Sequence, residues 1–193
     1  MTLTHAAFGQ LNLTRQVALV LGASLLIAIA AQISVPFWPV PLTLQTLAVL
    51  TVGFALGARL ASIAILVYLA EGAMGLPVFA KFFNGAAFFG PTAGFLVGFV
   101  LVAWIAGTAA DRGIRNFWAL SGVALVASAV LYIPGLAWPM FVASVAGLEG
   151  SWIGQDFGAY YWAYFVQPFL IGDVVKALLA ALIVTGGWAA LRR

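Results

Sequence analysis

From residue 15 to residue 191 the chain alternates apolar runs with breaks of proline, glycine and charge, and that pattern leaves few folds open. An apolar run near twenty residues crosses the roughly 30 Å hydrocarbon core of a bilayer as a helix, because a helix satisfies its backbone N–H and C=O groups internally. Runs of this kind are predicted at about residues 15–33, 43–56, 60–73, 92–110, 117–133 and 168–191. They are continuous rather than alternating, which argues against β-barrel strands. With 65% hydrophobic and 7% charged residues over 193 positions, and a mean hydropathy of +1.14, no soluble domain is left over. The reading is an all-α integral membrane protein with one domain, residues 1–193, built from six spans.

The second and third runs are short. About 14 residues at 1.5 Å each give about 21 Å, less than the hydrocarbon core, so a single re-entrant pair stays an alternative there. Val17 to Ala30 has the length of a signal-peptide core and ends in Ala28-Ile29-Ala30, but one Arg precedes it and further spans follow. It reads as a retained first helix.

Charge orients the spans. Arg15, Arg59, the Arg112/Arg115 cluster and the Arg192/Arg193 end fall on one side of a six-span chain, with both termini. By the positive-inside rule that side is cytoplasmic. The outer segments, residues 34–42, 75–91 and 134–167, carry the irregular sequence, with Pro36, Pro39 and Pro41 in the first, and are expected to be irregular. In the last, Trp138, Trp152, Tyr160, Tyr161, Trp162 and Tyr164 suit an interfacial aromatic belt better than direct ligand contact. The net charge of +3 is too small and dispersed to suggest nucleic acid.

Two cations have no topological reason, Lys81 and Lys176. The second lies in Pro168-Phe169-Leu170-Ile171-Gly172-Asp173-Val174-Val175-Lys176, an acid and an amine three residues apart in an apolar run. An Asp or Lys at a helix centre costs about 2.5 to 3.5 kcal/mol on the translocon scale, whereas an i,i+3 ion pair on an exposed helix returns about 0.2 to 0.5. Three residues advance nearly one turn, so the two side chains share a face, and a helix opening at Pro168 would put Asp173 about 7 Å inside the outer end. Together they can bind a small polar group presenting both N–H and C=O. The competing reading is a self-neutralising pair that fixes helix packing.

Lys81 and Asn84, in Lys81-Phe82-Phe83-Asn84-Gly85, offer donors for a ligand carboxylate, or a solvated loop charge. Gln45, where the first outer segment enters the second run, either reaches a site or caps helices. Glu71, near the outer end of the third run, suits an interface position. Ala18 and Gly22 make a small-xxx-small face on the first helix, for packing within the chain or for docking on another membrane protein.

Enzyme classes find little here. Cys is absent, which removes thiolate catalysis and Cys-ligated metals, and the one His, His5, lies before the first apolar run. Ser24, Ser62, Ser121 and Ser128 lack Gly-x-Ser-x-Gly surroundings, Asp173 has only Glu71 as a poor acidic companion, and there is no Walker loop or metal-spaced cluster. The expectation is no enzyme, no cofactor and no metal.

Four blocks in order resemble the BioY family, the biotin-binding substrate-capture (S) component of energy-coupling factor (ECF) vitamin transporters. They are Pro39-Val40-Pro41-Leu42-Thr43-Leu44-Gln45-Thr46, Gly75-Leu76-Pro77-Val78-Phe79, Gly90-Pro91-Thr92-Ala93-Gly94-Phe95 and the Pro168 to Ala177 segment. The resemblance covers nearly the whole chain from Arg15. It implies a compact six-helix membrane bundle, both termini cytoplasmic, that takes up biotin from the outside in a bacterial inner membrane, with the first outer loop as a lid. It also implies a transmembrane coupling protein with two ABC-type ATPases as partner. Under it Asp173 and Lys176 meet the cyclic urea and Lys81 or Asn84 the valeryl carboxylate, or else Lys176 serves the carboxylate, and Ala18 and Gly22 stand where the family typically has Ala-xxx-Ala for docking. The chain departs from the family between its second and third blocks, where residues 80–89 are phenylalanine-rich instead of glycine-rich.

An ion-coupled carrier of another solute, with Asp173 as proton site, and a structural membrane subunit are the alternative classes. Action alone, as a homo-oligomer or with an ATPase module are all compatible with the residues.

Overall fold

The computed structural model describes residues 2–146 and 157–191, and they are mostly helical. A short helix α1 (Leu3–Phe8) precedes α2 (Leu13–Gln32), which Asn12 caps by accepting from Arg15 N at 3.0 Å. A two-residue ladder, β1 (Ser34–Val35) with β2 (Leu42–Thr43), pins the ends of the first loop in antiparallel register, Ser34 opposite Thr43. Then come α3 (Gln45–Leu56), α4 (Ala58–Ala73), α5 (Ala93–Asp111) and α6 (Phe117–Val145). After the undescribed residues, α7 (Phe157–Tyr161) leads through a π turn and a 3-10 turn into α8 (Leu170–Leu191).

Among the described residues, four helical stretches are long and apolar enough to cross a membrane: Leu13–Gln32, Ala93–Asp111, Phe117–Val145 and Gly158–Leu191. The other two predicted runs fold as α3, 12 residues, and α4, 16 residues. Their joint is Gly57 alone, at φ +82°, where a side chain would run into the Asp111 carboxylate. That carboxylate accepts from Ala58 N at 2.9 Å and so satisfies the start of α4. The short α3 packs against α5 and α8 with Val49 and Leu50 fully buried, so its neighbours cover what it is too short to carry across lipid alone. Large aliphatic side chains such as Leu25, Val126 and Ile183 point outward, while alanines such as Ala103, Ala124 and Ala177 fill the interior. Small interior residues let helices approach where lipid offers no hydrophobic drive between them.

The described parts of the segment expected to be irregular, residues 134–146 and 157–167, are largely helical instead. Helix α6 runs through Pro134 and Pro139 to Val145, and the chain is helical again from Phe157. Each proline removes one backbone donor, but the helix around Pro134 is held by its packing on α5. Gly94 is what permits that contact: a Cβ there would sit 2.0 Å from the Pro134 carbonyl oxygen. The helix likewise does not open at Pro168, which lies in the 3-10 turn Gln167–Phe169 just before α8. One wide and one tight turn carry the backbone past the proline ring. Of the aromatic residues, Trp162 and Tyr164 are exposed, whereas Tyr161 packs with Phe165 and Phe169 on Val40 of the first loop. Trp152, Arg192 and Arg193 lie outside the described residues.

Gly94→Val is expected to destabilise the fold by about 1 to 3 kcal/mol through overpacking against α6. Gly122→Ala, where a Cβ meets nothing within 4 Å, is expected to unfold at or above the wild-type temperature. Thermal unfolding of both variants in detergent checks this; equal midpoints would remove the close-approach role of Gly94.

Candidate functional site

Asp173 falls in the first turn of α8 and Lys176 one turn on, buried to 5% exposure. Their shared face brings Lys176 Nζ to 3.4 Å from Asp173 Oδ1, donating along the helix. The other carboxylate oxygen, Oδ2, accepts from the Tyr132 hydroxyl of α6 at 2.6 Å. Tyr132 carries no charge and no motif that marks it in the sequence. A lone tyrosine two residues before a proline, at the end of an apolar run, is the one signal that could have marked it, since a buried phenol needs a partner.

Among the described residues, the cluster is incompletely satisfied by protein. A carboxylate offers about four lone-pair sites and an ammonium three donors, and here two acceptances and one long donation are used. The remaining capacity faces a cavity of about 330 Å³ that Asp173, Lys176 and Tyr132 all line. Its walls are apolar, with Phe79, Phe95, Phe99, Leu131 and Phe169 among them, and the first loop closes one side through Trp38, Pro39, Val40 and Pro41. A half-enclosed apolar cavity with a few polar groups gathered at one place is the usual form of a small-molecule site.

Gln45, the first residue of α3, also lines the cavity, and its amide is tied down on both sides. Its Oε1 accepts from Thr43 Oγ1 at 3.1 Å and its Nε2 donates to the Tyr68 hydroxyl at 2.8 Å, which in turn donates to Val78 O at 3.2 Å. Lys81 lines the cavity from the loop before α5. Asn84 does not line it: its side chain accepts from Ala86 N at 3.2 Å and caps the 3-10 turn Gly85–Phe89. Glu71 is half-buried and accepts a hydrogen bond from Ser24 Oγ, joining α4 to α2 and standing outside the cavity lining. Ala18 and Gly22 are both exposed on α2, and nothing lies within 4 Å of where a Gly22 side chain would be. A more open cavity of about 640 Å³ lies at the other end of α5, lined by His5, Arg59 and Asp111. Among the described residues, no three His, Cys, Asp or Glu side chains gather closely enough to hold a metal ion.

A helical membrane protein with a small-molecule cavity at one end of its bundle is the class that these features define. The sequence model of the BioY family matches residues 2–193, and the chain belongs to that family. It is 36% identical to the probable biotin transporter BioY of Pyrococcus horikoshii, over 88% of this chain and 93% of that one. It is 38% identical to the biotin transporter BioY of Thermotoga maritima, over 82% and 86% respectively. Its fold is similar to that in the crystal structure of an S-component for biotin from an ECF-type ABC transporter. The TM-score is 0.72 at 22% identity, covering 91% of this chain and 93% of the other.

Tyr132→Phe leaves Asp173 Oδ2 without its protein donor. The expected loss of stability without ligand is about 1.5 to 3 kcal/mol at most, the range for a hydrogen bond to a charged group. Asp173→Asn/Tyr132→Phe should lose less than the sum of its single variants. Thermal unfolding of the four chains measures both, and full additivity would mean that the hydroxyl and carboxylate are not coupled.

Proposed function

We infer that this chain is a biotin uptake protein, the substrate-capture component of an ECF-type transporter, and that it works by binding without covalent chemistry. The observation that carries this is the unspent hydrogen-bonding capacity of Asp173, Lys176 and Tyr132 on a cavity whose walls are mostly apolar. Biotin matches it group for group. Its cyclic urea has two N–H donors for Asp173 and a carbonyl for Lys176, its sulfur ring suits the aromatic and aliphatic walls, and its valeryl carboxylate suits Lys81. Gln45 adds a fixed amide to the wall. Asn84 receives no geometric support from the cavity lining and is set aside in favour of Lys81. The self-neutralising pair is disfavoured because, among the described residues, the two charges are met only by their 3.4 Å contact and the Tyr132 hydroxyl, while both line the cavity.

The same reading gives the topology. Arg15, Arg59, Arg112 and Arg115 face the cytoplasm with both termini, α3 and α4 complete a six-helix single domain within α2, α5, α6 and α8, and the cavity opens outward in a bacterial inner membrane. The hairpin loop from β1 to β2 serves as lid. Exposed Ala18 and Gly22 offer the docking face for a transmembrane coupling protein carrying two ATPases.

Asp173→Asn is expected to weaken biotin binding roughly 10- to 100-fold, the equivalent of about 1.5 to 3 kcal/mol for a hydrogen bond to a charged group. Equilibrium binding to purified protein, with thermal unfolding as a control for folding, tests it. Unchanged affinity in a folded variant would remove Asp173 from the site.

A further inference from the structure

We propose that Gln32, the last residue of α2, is a positioning residue that holds Lys81 over the cavity. This rests on the reading of Lys81 as partner of the ligand carboxylate. The backbone from Ala80 to Phe83 turns back on itself, with Phe83 N donating to Ala80 O at 3.3 Å and Phe79 N to Phe83 O at 2.9 Å. Both central residues, Lys81 and Phe82, have φ of +59°, the left-handed region that such hairpin turns normally fill with asparagine or glycine. Residues with a Cβ stay there only when their surroundings oblige them. Burial does not, since Phe82 and Phe83 are 69% and 53% exposed.

The Gln32 side chain does. Its Oε1 accepts from Phe82 N at 3.1 Å, inside the turn, while its Nε2 donates to Phe79 O at 3.1 Å and Val78 O at 3.4 Å, before the turn. The same nitrogen reaches Ala28 O at 3.2 Å on its own helix. Val78 and Phe79 are themselves fixed: Tyr68 donates to Val78 O, and the Phe79 ring is packed edge-on against Tyr68 and Phe88. One amide therefore links an immobile base to the strained Phe82 N–H, and Lys81 sits between the two attachment points. Without Gln32 the turn is free to relax to right-handed φ, which rotates the Lys81 side chain away from the cavity it lines.

The test compares equilibrium binding of biotin and of biotinamide, whose side chain ends in a neutral amide, to purified full-length protein. Lys81→Ala is expected to weaken biotin about tenfold and biotinamide little, a charge-assisted hydrogen bond being the difference. Gln32→Ala should reproduce that selective loss, should add nothing in combination with Lys81→Ala, and should be reversed by adding Phe82→Gly, because glycine takes positive φ freely. Equal weakening of both ligands by Gln32→Ala, additivity with Lys81→Ala, absence of rescue by Phe82→Gly, or a Gln32→Ala chain that no longer folds would each overturn the positioning role. If Lys81→Ala itself leaves the ratio of the two affinities unchanged, the carboxylate reading of Lys81 fails first and takes this inference with it.

Discussion

An acid and an amine set three residues apart in an apolar helix have to be answered by other polar atoms, and the arrangement around α8 follows from that requirement. Lys176 turns back to Asp173 along one helix face, and Tyr132 reaches across from α6 to the second carboxylate oxygen. These contacts offset part of the cost of keeping the two charges out of water but use only part of their bonding capacity. The rest requires a cavity, and a cavity in a bundle requires walls that do not collapse into it.

The walls depend on backbone approach elsewhere. Gly94 lets α5 and α6 meet at Pro134, two residues beyond Tyr132, whose hydroxyl reaches Asp173. Trp138, one turn further, donates its indole N–H to Gly90 O at 3.2 Å and ties the extended α6 to the loop before α5. On the other side, Gln45 and Tyr68 fasten the start of α3 to Val78, and Gln32 fastens the same loop to α2.

Hydropathy made the helices legible, because a bilayer demands continuous apolar runs and the chain supplies them. It also placed α3 and α4 as short runs, which they are. It misplaced residues 134–145, since proline marks a break in water but is tolerated where neighbouring helices hold the backbone. Asp173 and Lys176 stood out as charges with no reason to be where they are. Tyr132 and Gln32 did not, for opposite reasons: a tyrosine blends into an apolar run, and a glutamine at a helix end looks like an ordinary cap. Asn84 looked like a ligand group because it neighbours Lys81 in sequence, yet its side chain turns to the backbone two residues on.

The most direct measurement is a structure of this protein with biotin bound. The predicted result is the cyclic urea within about 3 Å of the Asp173 carboxylate and the Lys176 ammonium, with the valeryl carboxylate directed to Lys81. The reverse placement, carboxylate on Lys176 and urea at the Lys81 turn, would contradict the role assigned to the α8 cluster.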